Sequence, residues 1–305
     1  MLKNWKKNHK SWNRDFSPVV CSSIIFKKIT ELRPRFHIYF LSLILIHSSS
    51  FAQNCNPDIL FKTNFQKSES QPSNGNRGIY PGAFNRTVIY NGKIMTYYVS
   101  IPPDYNPKVA SPILITWHGA AGAGTAPSNA KAMRDFWKPT ADVNNFIVVA
   151  QAATGQLGGG WLPSNDFPTL SQVLADMFLH YNIEKTRIYG HGFSSGGHVM
   201  HGLMLQNSEY FAAYVISAGV LEAFAGTSAP FNAKRRIPVF VSIGNRDTTG
   251  PNLLDISRQN HTVFNNAGWV DNDNYWIDEF SGGHQIDNNL PQKSWDKICA
   301  KTNFQ

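Results

Sequence analysis

The stretch from Arg187 to Leu205 constrains the fold more than any other part of the chain. A short β-type run, Arg187-Ile188-Tyr189, leads into Gly192-Phe193-Ser194-Ser195-Gly196, and a helix-compatible run from Val199 to Leu205 follows with no linker. A chain can turn from strand to helix this abruptly only if the corner residue accepts a strained backbone. Its neighbours must also carry no side chain that obstructs the two elements. Gly192 and Gly196 provide that clearance, and Ser194 occupies the corner with its hydroxyl projected out of the sheet. A Gly-x-Ser-x-Gly turn in this strand–turn–helix setting is where a serine serves as a nucleophile. The helix beginning after it directs free N–H groups and a positive dipole end at the group under attack.

The remainder of the chain supplies a sheet for such a corner. Residues 53–85, with Pro72, Asn74, Gly75, Asn76, Gly78, Pro81 and Gly82, read as an irregular entry segment. Arg86–Tyr90 and Lys93–Val99 flank Asn91-Gly92, the preferred pair for a two-residue turn with positive φ at both positions, and predict a β-hairpin. Strand and helix patterns then alternate. Strands are expected at Pro112–Trp117, Phe146–Ala150, Tyr214–Ser217, Ile237–Ile243 and Asn274–Ile277, and helices over 128–143, 168–181, 253–266 and 291–300. Antiparallel strands followed by βα alternation imply a mostly parallel sheet with helices on both faces.

Residues 1–52 read as a secretory signal with a long basic n-region, and 53–305 as a single catalytic domain with no linker to a second one. Nine Lys and Arg residues precede or lie within this segment before the apolar run Ile38–Ile46, and Ser50-Phe51-Ala52 places small residues for cleavage after Ala52. A membrane anchor is the alternative, but an apolar run nine residues long falls well short of the roughly 20 needed to span a bilayer. The leader also accounts for the charge. It holds nine of the 28 basic and two of the 20 acidic residues, leaving 19 against 18. The formal +8 therefore belongs to the leader, and nucleic acid is not expected as a partner. Of the three cysteines, Cys21 leaves with the leader. In an oxidising compartment Cys55 and Cys299 are expected to pair, the alternative being two free thiols.

A serine needs a base, an acid that orients the base, and donors for the oxyanion. In a sheet of this kind the partners follow in the order serine, acid, histidine. Asp247 lies just past the strand Ile237–Ile243, at the carboxyl rim where open α/β sheets place their sites. Asp255, Asp271 and Asp273 are the fallbacks. His284, in Ser281-Gly282-Gly283-His284-Gln285, follows the last strand and is the expected base, with His261 as a rival. Trp117-His118-Gly119-Ala120 follows an early strand, so Ala120 and Ser195 are the expected oxyanion donors. Gly-Lys-Ser/Thr and a Gly-x-Gly-x-x-Gly opening a helix are both missing, which argues against a nucleotide site. His191, His198 and His201 lack a convincing carboxylate, so no metal and no cofactor is expected. Trp161, after Gly158-Gly159-Gly160, reads either as a substrate-pocket wall or as a packed loop anchor.

These residues resemble the secreted α/β-hydrolase esterases of the polyhydroxybutyrate depolymerase and feruloyl/acetylxylan esterase group, carbohydrate esterase family one. The resemblance runs from about residue 86 to 300. It rests on His118-Gly119, on Tyr181-Asn182-Ile183 leading to Gly192-Phe193-Ser194-Ser195-Gly196-Gly197, and on Asp247 and Gly282-Gly283-His284. It implies an α/β-hydrolase fold, with Ser194 as nucleophile, His284 as base and Asp247 as acid. It also implies ester substrates such as polyester oligomers or plant cell-wall esters. The chain departs from the group's pattern at Ile243-Gly244-Asn245-Arg246-Asp247 and at Gln285-Ile286-Asp287 after the histidine. A non-catalytic binding relative and a peptidase on the same fold are the competing functions.

Overall fold

In the computed structural model, which describes residues 72–155 and 158–304, the expected hairpin opens an eight-stranded sheet. Strands β1 (Gly82–Tyr90) and β2 (Lys93–Ile101) turn through Asn91 at φ 49° and Gly92 at φ 71°, both positive as a two-residue turn requires. Then follow β3 (Ser111–Trp117), α1 (Ala126–Asn144), β4 (Ile147–Gln151), α2 (Pro163–His180), β5 (Ile183–Phe193) and α3 (Ser195–Gln206). After β6 (Ala213–Ser217) come a 3-10 turn at Leu221–Ala223 and the short α4 (Ala229–Asn232). The series ends with β7 (Val239–Gly244), α5 (Leu253–Asn266), β8 (Tyr275–Phe280) and α6 (Leu290–Ile298). The spatial order is β1-β2-β4-β3-β5-β6-β7-β8. Strand β2 runs antiparallel to both β1 and β4, and the pairs from β4 through β8 are parallel.

Period-two alternation along the parallel strands builds two separate cores. Ile113, Ile115, Ile147, Val149, Ile188, Tyr214, Ile216, Val239, Val241 and Tyr275 face one side, where Leu174 and Met177 of α2, Met200 and Leu203 of α3 and Phe264 of α5 cover them. Their neighbours Leu114, Val148, Tyr189, Val215, Phe240 and Trp276 face the other side, beneath Trp137 of α1 and Trp295 and Ile298 of α6. Trp295 stacks on Phe146 with ring centroids 3.9 Å apart. Burial on both faces leaves the carboxyl ends of the parallel strands as the place where loops can present polar groups. Residues 118–120, 194–195, 247 and 284 all follow such ends.

Several boundaries differ from expectation. Strand β1 begins at Gly82, inside the segment expected to be irregular, because Gly82 through Asn85 pair with Ile101 back to Tyr98 of β2. Helix α2 begins at Pro163 rather than 168, because a proline suits the first helical position and the Asp166 carboxylate accepts from the Leu162 N–H just before it. Strand β5 begins at Ile183, since Ser111 of β3 pairs with it there. Strand β8 runs on to Phe280, which pairs with Gly244. The leader reading and Cys55 lie outside the described residues. Cys299 is half-buried just past the end of α6 and forms no disulfide among the described residues. No helix among the described residues is long and apolar enough to cross a membrane.

Candidate active site

Ser194 stands between β5 and α3 with φ 50° and ψ −118°, a strained conformation for a residue with a side chain. Its N–H donates to the carbonyl of Ser217 at the end of β6 (2.8 Å), which holds the corner against the sheet. The flanking glycines are required by close approach. A Cβ at Gly192 would lie 2.5 Å from the Gly196 carbonyl oxygen, and one at Gly196 would lie 2.6 Å from the carbonyl oxygens of Trp117 and His118. Both obstructions are backbone, so neither could move aside cheaply.

The expected acid and base meet at this corner. His284 Nε2 lies 2.9 Å from Ser194 Oγ, and His284 Nδ1 lies 2.8 Å from Asp247 Oδ2. A carboxylate only accepts, so Asp247 places the ring proton on Nδ1 and leaves the Nε2 lone pair facing the serine hydroxyl. Asp247 is fully buried, whereas 27% of the His284 side chain is open to solvent. The other Asp247 oxygen, Oδ1, accepts from Thr249 N–H at 3.1 Å. The acid and base loops are tied together through Arg246 N–H to Gly282 O (2.8 Å) and Asn245 N–H to Phe280 O (2.8 Å). Gly244 makes room for this: a Cβ there would come within 2.6 Å of Gly282 O and closer still to Gly283 O. Phe193 packs beside the His284 ring at 5.4 Å between centroids.

The loop after β3 lies next to Ser194, since a Cβ at Gly119 would sit 3.2 Å from Ser194 Cβ. Ser195 is the first residue of α3, and its N–H therefore has no intrahelical acceptor. Gly160 lies between Ser195 and Ala120, its Cβ direction falling 3.6 Å from Ser195 Oγ and 3.8 Å from Ala120 Cβ. Two rings brace the loop from behind. His118 Nδ1–H donates to Gly119 O (2.8 Å) and its Nε2 accepts from Ala153 N–H (3.2 Å). Burial lowers the basicity of this ring and keeps it neutral. Trp161 is 6% exposed, stacks on Trp117 at 4.3 Å and donates from Nε1 to His118 O at 2.8 Å. Of the two readings of Trp161, the stacking on Trp117 and the Nε1–H bond to His118 O favour the packed loop anchor. The bracing role of His118 was not read from sequence, although the His-Gly pair after a strand end was a legible signal.

The rivals lie elsewhere. His261 pairs with Asp271 at 2.6 Å and stacks on Tyr275, Asp255 is held by Asn252 at the start of α5, and Asp273 lies 3.8 Å from Lys301. His191 Nδ1 accepts from Trp137 Nε1–H (2.9 Å), so its proton sits on Nε2, facing Ser217 Oγ at 3.1 Å. His201 Nδ1 lies 3.2 Å from the Tyr214 hydroxyl, and His198 Nδ1 accepts from Val220 N–H (2.9 Å). Desolvation pushes His191 and His201 down to about 3 and His198 to about 4, so all three are neutral packed rings. Among the described residues no cluster of His, Cys, Asp and Glu has the makings of a metal site.

No family model matches the sequence. A bifunctional acetylxylan esterase/xylanase from Neocallimastix patriciarum is 28% identical over 151 residues, 49% of this chain, and the match spans only 21% of that protein's length. Among solved structures, a ferulic acid esterase is similar at TM-score 0.57 with 17% identity, covering 72% of this chain and 98% of that one. A CE1 ferulic acid esterase from the anaerobic fungus Anaeromyces mucronatus is similar at TM-score 0.53 with 14% identity, covering 78% and 94%. On its sheet order, its strand-to-helix corner and these likenesses, the chain has the α/β-hydrolase fold and is similar to esterases of the carbohydrate esterase family one group.

Proposed function

We propose that this chain is a serine carboxylic-ester hydrolase that works through an acyl-enzyme. The observation that carries the reading is the continuous line Ser194 Oγ, His284 Nε2, His284 Nδ1, Asp247 Oδ2, with both links at hydrogen-bond length. Ser194 Oγ attacks the ester carbonyl carbon while its proton passes to His284 Nε2. The oxyanion is held by the N–H groups of Ala120 and Ser195. As the tetrahedral adduct collapses, the alcohol leaves with the proton from Nε2. Water then attacks the acyl-enzyme, gives its proton to the same nitrogen and releases the acid, restoring Ser194.

The similarity to acetylxylan and ferulic acid esterases supports esters of plant cell-wall polysaccharides as the substrate class, with polyester oligomers the other candidate. We also propose that residues 53–305 act as one catalytic domain after export, with Cys55 joined to Cys299. Mass analysis of the non-reduced mature protein tests both cleavage after Ala52 and the pairing. The chemistry is tested by Ser194→Ala. Hydrolysis of short p-nitrophenyl esters and labelling by a fluorophosphonate should fall to background in a variant with unchanged far-UV CD and Tm. Full activity in that variant overturns the proposal. Comparing methyl ferulate, acetylated xylan and hydroxybutyrate oligomers then assigns the acyl and alcohol groups.

A further inference from the structure

One carboxylate near the site is not used by the chemistry and is buried without a cationic partner among its hydrogen bonds. Asp166, in the first turn of α2, is fully buried. Its Oδ2 accepts from Leu162 N–H at 2.5 Å and its Oδ1 from Thr154 N–H at 3.0 Å. The first contact alone would be an ordinary helix-start cap. The second reaches across to the chain leaving β4, so one carboxylate holds both sides of the connection between β4 and α2. Gln151 adds a third tie, donating from Nε2 to the Asp166 carbonyl at 3.1 Å.

What this connection touches gives the clamp its importance. Gly158 O accepts from Gly122 N–H (2.8 Å), joining the connection to the loop that carries Ala120. Gly160 packs between Ala120 and Ser195, Trp161 donates to His118 O, and Ala153 donates to His118 Nε2. Residues 153, 160 and 161 are therefore direct neighbours of the two expected oxyanion donors or of the histidine bracing them. Thr154 and Leu162, the two residues gripped by Asp166, adjoin this set on either side.

We propose that Asp166 is a positioning residue for the oxyanion site: by gripping Thr154 and Leu162 it fixes the backbone that seats Ala120 and Ser195. This rests on the esterase reading above. An oxyanion donor contributes only when it points at the oxygen of the tetrahedral adduct, and a displacement on the order of 1 Å costs about a hundredfold in rate. The predicted defect is thus specific to the transition state and small for the ground state.

The experiment uses Asp166→Asn, which keeps the volume but replaces one acceptor oxygen by an amide that cannot accept, and Trp161→Phe, which removes the donor to His118 O. For each, kcat and KM on a p-nitrophenyl ester are measured beside the Kd of an alkylboronic acid. The boronic acid adds to the serine hydroxyl and presents a tetrahedral oxygen to the oxyanion site. The expected result is a fall of about 10- to 100-fold in kcat with KM within about threefold, and weakening of boronic acid binding by the same factor as kcat. A variant that loses Tm but keeps both kcat and boronic acid affinity overturns the proposal, since that is the signature of a structural cap alone. If Asp166→Asn does not fold, Trp161→Phe carries the decision, and unchanged boronic acid affinity there overturns it equally. A wild-type protein that neither binds the boronic acid nor is labelled by a fluorophosphonate refutes the esterase reading itself.

Discussion

Asp247→Asn separates a catalytic dyad from a fortuitous contact, because the change is isosteric and the site is fully buried. Asp247 accepts from two donors, His284 Nδ1–H at 2.8 Å and Thr249 N–H at 3.1 Å, with a different oxygen for each. An asparagine has one carbonyl oxygen and one NH2 to set against those two N–H groups. If the oxygen keeps Thr249, the NH2 faces His284, and the imidazole must move its proton to Nε2 to accept at Nδ1. Nε2 then points an N–H at Ser194 Oγ and has no lone pair with which to take its proton. The loss is that of the base in its working tautomer, about 10³- to 10⁴-fold in kcat. At 1.36 kcal/mol per decade this is roughly 4–5.5 kcal/mol of transition-state stabilisation. The assay is steady-state hydrolysis of p-nitrophenyl acetate together with the rate of fluorophosphonate labelling. Asp271→Asn serves as the control, because Asp271 pairs with His261 on the surface and should leave kcat unchanged. An Asp247→Asn enzyme within threefold of the parent, or an equal loss from Asp271→Asn, refutes the reasoning.

Three further outcomes follow from the packing of other residues. Gly244→Ala should reduce kcat at least a hundredfold with little change in far-UV CD, because its Cβ would meet the backbone carbonyls of Gly282 and Gly283 and displace the His284 loop; kcat within a few-fold of the parent counts against this. Trp295→Ala removes a ring that is 3% exposed and stacked on Phe146, and should cost about 3–5 kcal/mol in urea unfolding; a loss below about 1 kcal/mol would mean the core collapses around the gap. Stability should also fall as the pH drops from about 6.5 toward 4. His191 and His201 (held down to about 3) and His198 (about 4) are neutral in the fold but take up protons on unfolding in that window. Asp166 opposes them, since burial raises its carboxyl to about 7 and unfolding releases that proton. His118, whose basicity burial also lowers, adds to the uptake, so the net against the one release is at least about two protons, on the order of 3 kcal/mol lost per pH unit near pH 5. Calorimetry in buffers of different ionisation enthalpy measures this uptake, and a Tm that holds or rises as the pH falls from 6.5 to 5 contradicts it.

Much of the site was readable before folding, for an identifiable reason. The corner at Gly192–Gly196 is a local device: its glycines and serine answer to contacts within a few residues and to one neighbouring strand end, so composition and order suffice. The hairpin at Asn91-Gly92 is local in the same way, and so is the alternation that separates the two cores. The expected start of α2 at 168 falls five residues late, because the apolar spacing begins only at Leu170. The earlier Pro163 and the carboxylate of Asp166 in fact begin the helix.

The sequence by itself determined the fold class, one candidate nucleophile and a short set of candidate acids and bases ordered along the chain. Only the tertiary structure chose among those candidates. Asp247 and His284 lie 37 residues apart and meet because β7 and β8 pair in parallel, with Gly244 opposite Phe280. Asp271 and His261 form an equally close pair that faces nothing reactive. Packing likewise tied Trp161 to His118 O and gave Asp166 a second chain segment to hold. Partners of these kinds are fixed by strand register and by the crossing of distant loops. Those distances are set by the whole sheet, and no window of sequence contains them.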